Sequence, residues 1–115
     1  MRCFIVDDSE EFLASAARLL RSQGVEVVAC ASSSDEAREL ARTLGADVAL
    51  VDIALGDEDG VALADELVTL APSTRVVLIS SYDRDELREL IEQSTAVGFL
   101  PKRSLAAAAI ERLVS

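Results

Sequence analysis

The sequence predicts an α/β fold, a doubly wound sheet of five parallel strands with helices on both faces. Three observations predict it. Five short apolar runs alternate with five amphipathic segments along the chain. The runs are mostly β-branched or continuously apolar, which means burial on both sides, as in a parallel sheet covered by helices. The chain has 115 residues, half of them hydrophobic and nearly all of those aliphatic, which suits one domain with a buried core.

The first run is Cys3-Phe4-Ile5-Val6. Phe12, Leu13, Ala16, Leu19 and Leu20 then recur at helical spacing, and Gly24 stops that helix. A second strand is expected over residues 25–30. Ser33-Ser34-Asp35-Glu36 has the form of a capping box, opening a helix through Ala37, Leu40, Ala41 and Leu44 that Gly45 closes. Val48-Ala49-Leu50-Val51 is the third strand, and Val61, Ala64, Leu67 and Val68 mark the helix after it. Val76-Val77-Leu78-Ile79 is the fourth, followed by a shorter, more charged helix on Leu87, Leu90 and Ile91. Residues 96–100 form the last strand, and Leu105, Ala109, Ile110 and Leu113 the last helix. No linker, low-complexity run or further repeat interrupts the alternation, so residues 1–115 are expected to form a single domain.

The formal net charge is −10. That argues against nucleic acid as a direct partner, because phosphate backbones need clustered Lys and Arg, and against an anionic membrane surface. No apolar run reaches the roughly 18 residues that span a bilayer. The N-terminal apolar stretch is too short for a signal peptide, so a cytoplasmic location is expected. Cys3 and Cys30 each lie beside an apolar run and are expected to be buried thiols. With no Cys-x-x-Cys and no His, they do not suggest a metal site.

In doubly wound folds ligands bind at the carboxyl ends of the strands, near the switch point in strand order. The first strand ends in Asp7-Asp8, the third in Asp52 and the fourth in Ser80-Ser81, while Lys102 follows the fifth. If the first and third strands are neighbours, three carboxylates crowd one edge with a hydroxyl and an ammonium. Each close carboxylate pair costs on the order of 1–4 kcal/mol, depending on the effective dielectric. Lys102 offsets part of that, and a divalent cation would offset more. Hard oxygen ligands without His or thiolate favour Mg2+. Taken singly, an Asp after a strand is an ordinary N-cap or turn residue, Ser80 a turn hydroxyl and Lys102 a solvated lysine. Their joint occurrence at strand ends that should converge is what points to a site.

This combination resembles the receiver domain of bacterial two-component response regulators. The matching residues are Asp7 and Asp8, Asp52, Gly60 eight positions later, Ser80 and Lys102, and the likeness runs over the whole chain. Gly98-Phe99-Leu100-Pro101-Lys102 is similar to the version found ahead of helix-turn-helix output domains. The resemblance implies a flavodoxin-like (βα)5 fold with strand order 2-1-3-4-5. It implies a signalling domain rather than an enzyme, one that assists its own phosphorylation and dephosphorylation. Asp52 would accept a phosphoryl group from a phosphohistidine of a sensor histidine kinase, in a two-component phosphorelay. Mg2+ would be held by Asp8, Asp52 and the backbone carbonyl of Ala54, and by Asp7 through water. Lys102 would pair with the carboxylate and then with the phosphoryl group. Ser80 would hydrogen-bond that group, Phe99 would turn inward, and the face made by the fourth helix, fifth strand and fifth helix would change. The implied partners beyond the kinase are a downstream output protein or a DNA-binding domain once attached, and a phosphorylation-dependent second copy.

Some positions depart from the family pattern. Gly56 stands where a Pro is common four residues after Asp52, which loosens that turn. Arg103, not Pro, follows Lys102, and a cis bond there would cost about 3 kcal/mol, so the isomer is open. Ser81 stands where Ala is usual. Ala54 and Tyr82 occupy the two positions that tune phosphoryl lifetime, and neither readily orients an attacking water, so slow self-hydrolysis is expected. Three other readings compete with this one. A phosphorylation-independent pseudo-receiver should lack the acceptor, the lysine or the acidic pair. An aspartyl-phosphate hydrolase wants its nucleophile after the first strand, with an acid two residues on, and Asp7-Asp8-Ser9 does not fit. A flavodoxin-like cofactor carrier needs a phosphate-binding loop where this chain has two acids.

Overall fold

The structure, a computed structural model, describes residues 1–115. Five strands form one sheet: β1 (Arg2–Val6), β2 (Glu26–Ala31), β3 (Val48–Asp52), β4 (Arg75–Ser80) and β5 (Gly98–Pro101). All pairings are parallel, in the order β2-β1-β3-β4-β5, as expected. The helices are α1 (Glu10–Ser22), α2 (Ser34–Thr43), α3 (Gly60–Leu70), α4 (Arg88–Gln93) and α5 (Ala107–Val114). A two-residue antiparallel ribbon, Ala54–Leu55 with Glu58–Asp59, lies between β3 and α3.

The continuous apolar runs do what a parallel sheet requires, since successive side chains supply opposite faces. Cys3, Ile5, Leu50 and Ile79 pack under Leu13 and Leu20 of α1 and Ile110 of α5. Phe4, Val6, Val51, Leu78 and Phe99 pack on the other side with Ala37 of α2 and Leu63 and Leu67 of α3. Two core clusters of 17 and 15 buried residues result, so neither face is left to solvent.

Local chemistry sets the helix starts. Ser9 caps α1 by accepting from the Phe12 amide at 3.2 Å, and Ser33 caps α2 through Glu36 at 3.3 Å. The Glu36 carboxylate reaches back to Ser32, accepting from its amide and hydroxyl, and this holds its carboxyl below the usual range. Asp59 caps α3 through the amides of Val61 and Ala62.

The structure corrects several expectations. Cys30 is exposed, while Cys3 is buried and its thiol is pushed up to about 12 by burial. The reason is topological: β2 is an edge strand, so Cys30 has a neighbouring strand on one side only. The fourth helical segment is split into a 3-10 turn, Arg84–Leu87, and the six-residue α4, neither with a buried residue. Its apolar stripe is too thin among the charges to seat a full helix. Leu105 is buried just ahead of α5 rather than inside it. The isomer that the sequence leaves open at Lys102–Arg103 is trans, as are all the other peptide bonds. No helix is long and apolar enough to cross a membrane.

Candidate functional site

β1 and β3 are adjacent, so Asp7-Asp8 and Asp52 emerge side by side at their carboxyl ends. Carboxylate oxygens of Asp7, Asp8 and Asp52 lie within 4.8 Å of one another. Asp7 and Asp52 are buried and Asp8 is exposed. Asp7 Oδ1 accepts from the Ser9 amide at 2.9 Å, so the turn leading into α1 aims the other oxygen inward. Asp52 Oδ1 accepts from the Ala54 amide at 3.1 Å.

Lys102 follows β5 in a short 3-10 turn and reaches across to the carboxylates. Its Nζ lies 2.6 Å from Asp7 Oδ2 and 3.1 Å from Asp52 Oδ2, with only 17% of the side chain exposed. The Asp52 contact is a hydrogen bond. The Asp7 approach is a close, buried ion pair, and Lys102 is the one group that meets Asp7 Oδ2. The Phe12 ring centroid lies 4.2 Å from the same Nζ.

Burial pushes the Asp52 carboxyl up to about 6, against the pull of the Lys102 hydrogen bond and charge; the Asp7 charge adds to the rise. For Lys102, burial acts downward, but the hydrogen bonds and charges of Asp7 and Asp52 outweigh it and hold the ammonium above its ordinary value. One ammonium does not balance three carboxylates. The excess negative charge and the all-oxygen donor set together fit a hard divalent cation of the Mg2+ type.

Two glycines shape the floor. Gly56 has φ +61, a left-handed conformation that suits glycine, and a Cβ there would lie 3.4 Å from Asp8 Oδ2. Gly60 sits where α3 meets the end of β3, and a Cβ there would fall 1.8 Å from the Asp52 carbonyl oxygen.

Ser80 is buried at the end of β4, one residue beyond the Asp52–Ile79 pairing, and its Oγ accepts from the Tyr82 amide at 3.1 Å. Tyr82 itself is exposed, as is Ala54. Phe99 is 1% exposed, so its ring is already inward here. Phe99 lacks a hydroxyl that would favour a surface position. The structure brings Asp7, Asp8, Asp52 and Lys102 together and leaves Ser80 bonded to its own loop.

Several neighbours escaped the sequence reading. Arg84 donates to the Phe99 carbonyl at 3.3 Å and lies over its ring at 5.5 Å. Arg103 pairs with Asp83, tying the β4–α4 loop to the turn that carries Lys102. Glu58 accepts from the Ser34 amide at 3.0 Å and fastens the ribbon to α2. Periodicity places Phe12 only on the apolar face of α1. Its place on the helix turn just after Asp8 was the one available signal.

Comparison with known proteins bears on the family and the fold. The family model for the response regulator receiver domain matches residues 3–114. A response regulator receiver protein from Anaeromyxobacter sp. is 33% identical over 101 residues, covering 88% of this chain and 42% of that protein. The signal receiver domain of the response regulator NarL from Mycobacterium tuberculosis superposes with a TM-score of 0.81 at 31% identity, covering 97% of this chain and 94% of that one. A response regulator from Burkholderia pseudomallei, solved with a phosphorylated aspartic acid and a calcium ion, superposes with a TM-score of 0.84 at 25% identity, covering 99% and 66%. The chain spans less than half the length of the first curated relatives it matches.

Proposed function

The chain belongs to the response regulator receiver family, and from that membership we propose that Asp52 is the residue that accepts the phosphoryl group. The observation that carries this reading is the buried Asp52 carboxylate, which shares one lysine with Asp7 at the mouth of the sheet. A carboxylate oxygen of Asp52 attacks the phosphorus of a phosphohistidine on a sensor histidine kinase. The new O–P bond forms as the P–N bond breaks, and the imidazole leaves with the electron pair. Asp7, Asp8 and Asp52, with the Ala54 carbonyl, would hold Mg2+, which when bound neutralises charge on the phosphoryl oxygens. Lys102 starts on the Asp52 oxygen and follows the charge onto the phosphoryl group.

Ser80 is the next residue to respond. Its hydroxyl can donate to a phosphoryl oxygen, but moving there gives up the bond from the Tyr82 amide. The loop that carries Tyr82, Asp83 and Arg84 is thereby coupled to the site, and through Arg84 to Phe99. Signalling then passes through this loop to the face of α4, β5 and α5, where an output domain or partner would sense it. Because Phe99 starts inward, the contact of Arg84 with it is the part free to change.

The function is tested with the full chain, acetyl phosphate and Mg2+, by intact mass. A phosphoryl-sized gain in the native protein, absent in Asp52→Asn and absent without the divalent ion, supports the reading. No gain from acetyl phosphate or from a histidine kinase would favour a phosphorylation-independent interaction module.

Ala54 bears on how long the group survives. Its methyl side chain cannot orient a water on the phosphorus, whereas an amide at that position can. Ala54→Asn is expected to shorten the phosphorylated lifetime several-fold, on the order of 1 kcal/mol in barrier. Decay of the phosphorylated mass after removal of donor measures it, and an unchanged lifetime would sink the idea.

A further inference from the structure

We infer that Phe12 is a positioning residue for Lys102, its ring covering the ammonium and holding it on Asp7 and Asp52. This rests on the acceptor reading of Asp52 and assigns a further residue to that site. The Lys102 Nζ meets three groups: Asp7 Oδ2 at 2.6 Å, Asp52 Oδ2 at 3.1 Å and the Phe12 ring centroid at 4.2 Å. An aromatic face attracts a cation through its quadrupole, most strongly where water is partly excluded, and the Lys102 side chain is largely covered.

The local structure explains why Phe12 is there. Ser9 follows the acidic pair directly, donates its amide to Asp7 and caps α1 by accepting from the Phe12 amide. The same turn therefore orients Asp7 and places Phe12 above it. Phe12 is only half-buried and packs against the edge of the core formed by α1 and α5. A leucine would meet that packing need, but it has no ring to face the cation. Lysine reaches the site through a long flexible stem, and ordering it carries an entropic cost. A ring that favours one placement of the ammonium raises the fraction of chains ready for transfer. The same ring does not compete for the carboxylates, so the ammonium is free to follow the charge as it develops.

The test compares the native chain with Phe12→Leu and Phe12→Tyr, using acetyl phosphate and Mg2+ as the probe. Phe12→Leu is expected to be phosphorylated about fivefold more slowly, the size of a partly covered cation–aromatic contact, with Phe12→Tyr near the native rate. In the native chain the Lys102 ammonium resonance should carry an upfield ring-current shift that Leu removes and Tyr keeps. Phe12→Met stands in for leucine if that variant does not fold. A native rate in the leucine variant, a tyrosine variant as slow as leucine, or an unshifted Lys102 resonance would overturn the assignment. The resonance needs no phosphorylation. A native chain that takes no phosphoryl group yet shows the shift would defeat the acceptor reading while leaving the Phe12 contact in place.

Discussion

Gly60→Ala should destabilise the protein by at least about 3 kcal/mol and slow or abolish phosphorylation with it. The added Cβ would lie 1.8 Å from the Asp52 carbonyl oxygen, 2.7 Å from the Ile53 carbonyl oxygen and 2.8 Å from the Asp52 carbonyl carbon. All three are backbone atoms, so no side-chain rotation relieves the overlap. The Gly60 amide also donates to the Ile53 carbonyl at 3.0 Å, which pins the start of α3 to the strand end. Relief requires α3 to move away from β3 or Asp52 to move out of the site. Gly98→Ala is the control: its Cβ would meet Leu113 Cδ2 at 2.8 Å, the tip of a side chain that can turn, and should cost about 1 kcal/mol. Urea unfolding of both variants measures this. A Gly60→Ala protein within about 1 kcal/mol of native would mean that α3 does not seat against β3 in this way.

Asp52→Asn should have the opposite sign, making the metal-free protein more stable at neutral pH. The Asp52 carboxyl rises from 3.8 to about 6 on folding, chiefly through burial. A carboxyl held above its unfolded value stabilises the fold fully below the unfolded pKa, and that contribution is lost as pH rises through the folded pKa. At pH 7 the folded state therefore bears a cost of about 1–3 kcal/mol from charging Asp52. Asparagine resembles the protonated acid and avoids it. The difference in stability between native and variant should be near zero below pH 4, grow between about pH 4 and 6, and level off above. Mg2+ should raise the native melting temperature more than that of Asp52→Asn, narrowing the gap. A pH-independent difference, or a variant less stable at pH 7, would show that burial does not dominate at Asp52. The loss of stability is the counterpart of function: a cluster that repels itself is poised to take up a cation and a phosphoryl group.

How far the sequence revealed this molecule depended on whether the signal was local. The strands were legible because β1, β3 and β4 are buried on both faces and are written as unbroken apolar runs. The order of strands, with β1 between β2 and β3, followed from the resemblance and brought Asp7, Asp8 and Asp52 together. Lys102 was legible as the one lysine following a strand, and its two carboxylate partners followed from topology. What periodicity could not reveal is which strand lies at an edge, and Cys30 is exposed for that reason. Nor could it separate a helix with a seated face from one that rests on the surface, as α4 does. The pairings of Phe12 with Lys102, Arg84 with Phe99 and Arg103 with Asp83 join residues far apart in sequence. No local pattern encodes them, because each depends on how loops fold over the sheet.

The central claim is that the phosphoryl group goes to Asp52 and to no other carboxylate of the cluster. The most direct measurement is to phosphorylate the native chain, reduce the acyl phosphate with borohydride and map the product by peptide mass spectrometry. Borohydride converts a phosphorylated aspartate to homoserine and leaves a free carboxylate alone. Homoserine at position 52, with Asp7 and Asp8 unchanged, is the predicted result. Homoserine at position 7 or 8, or phosphorylation that leaves residue 52 as aspartate, would contradict the account.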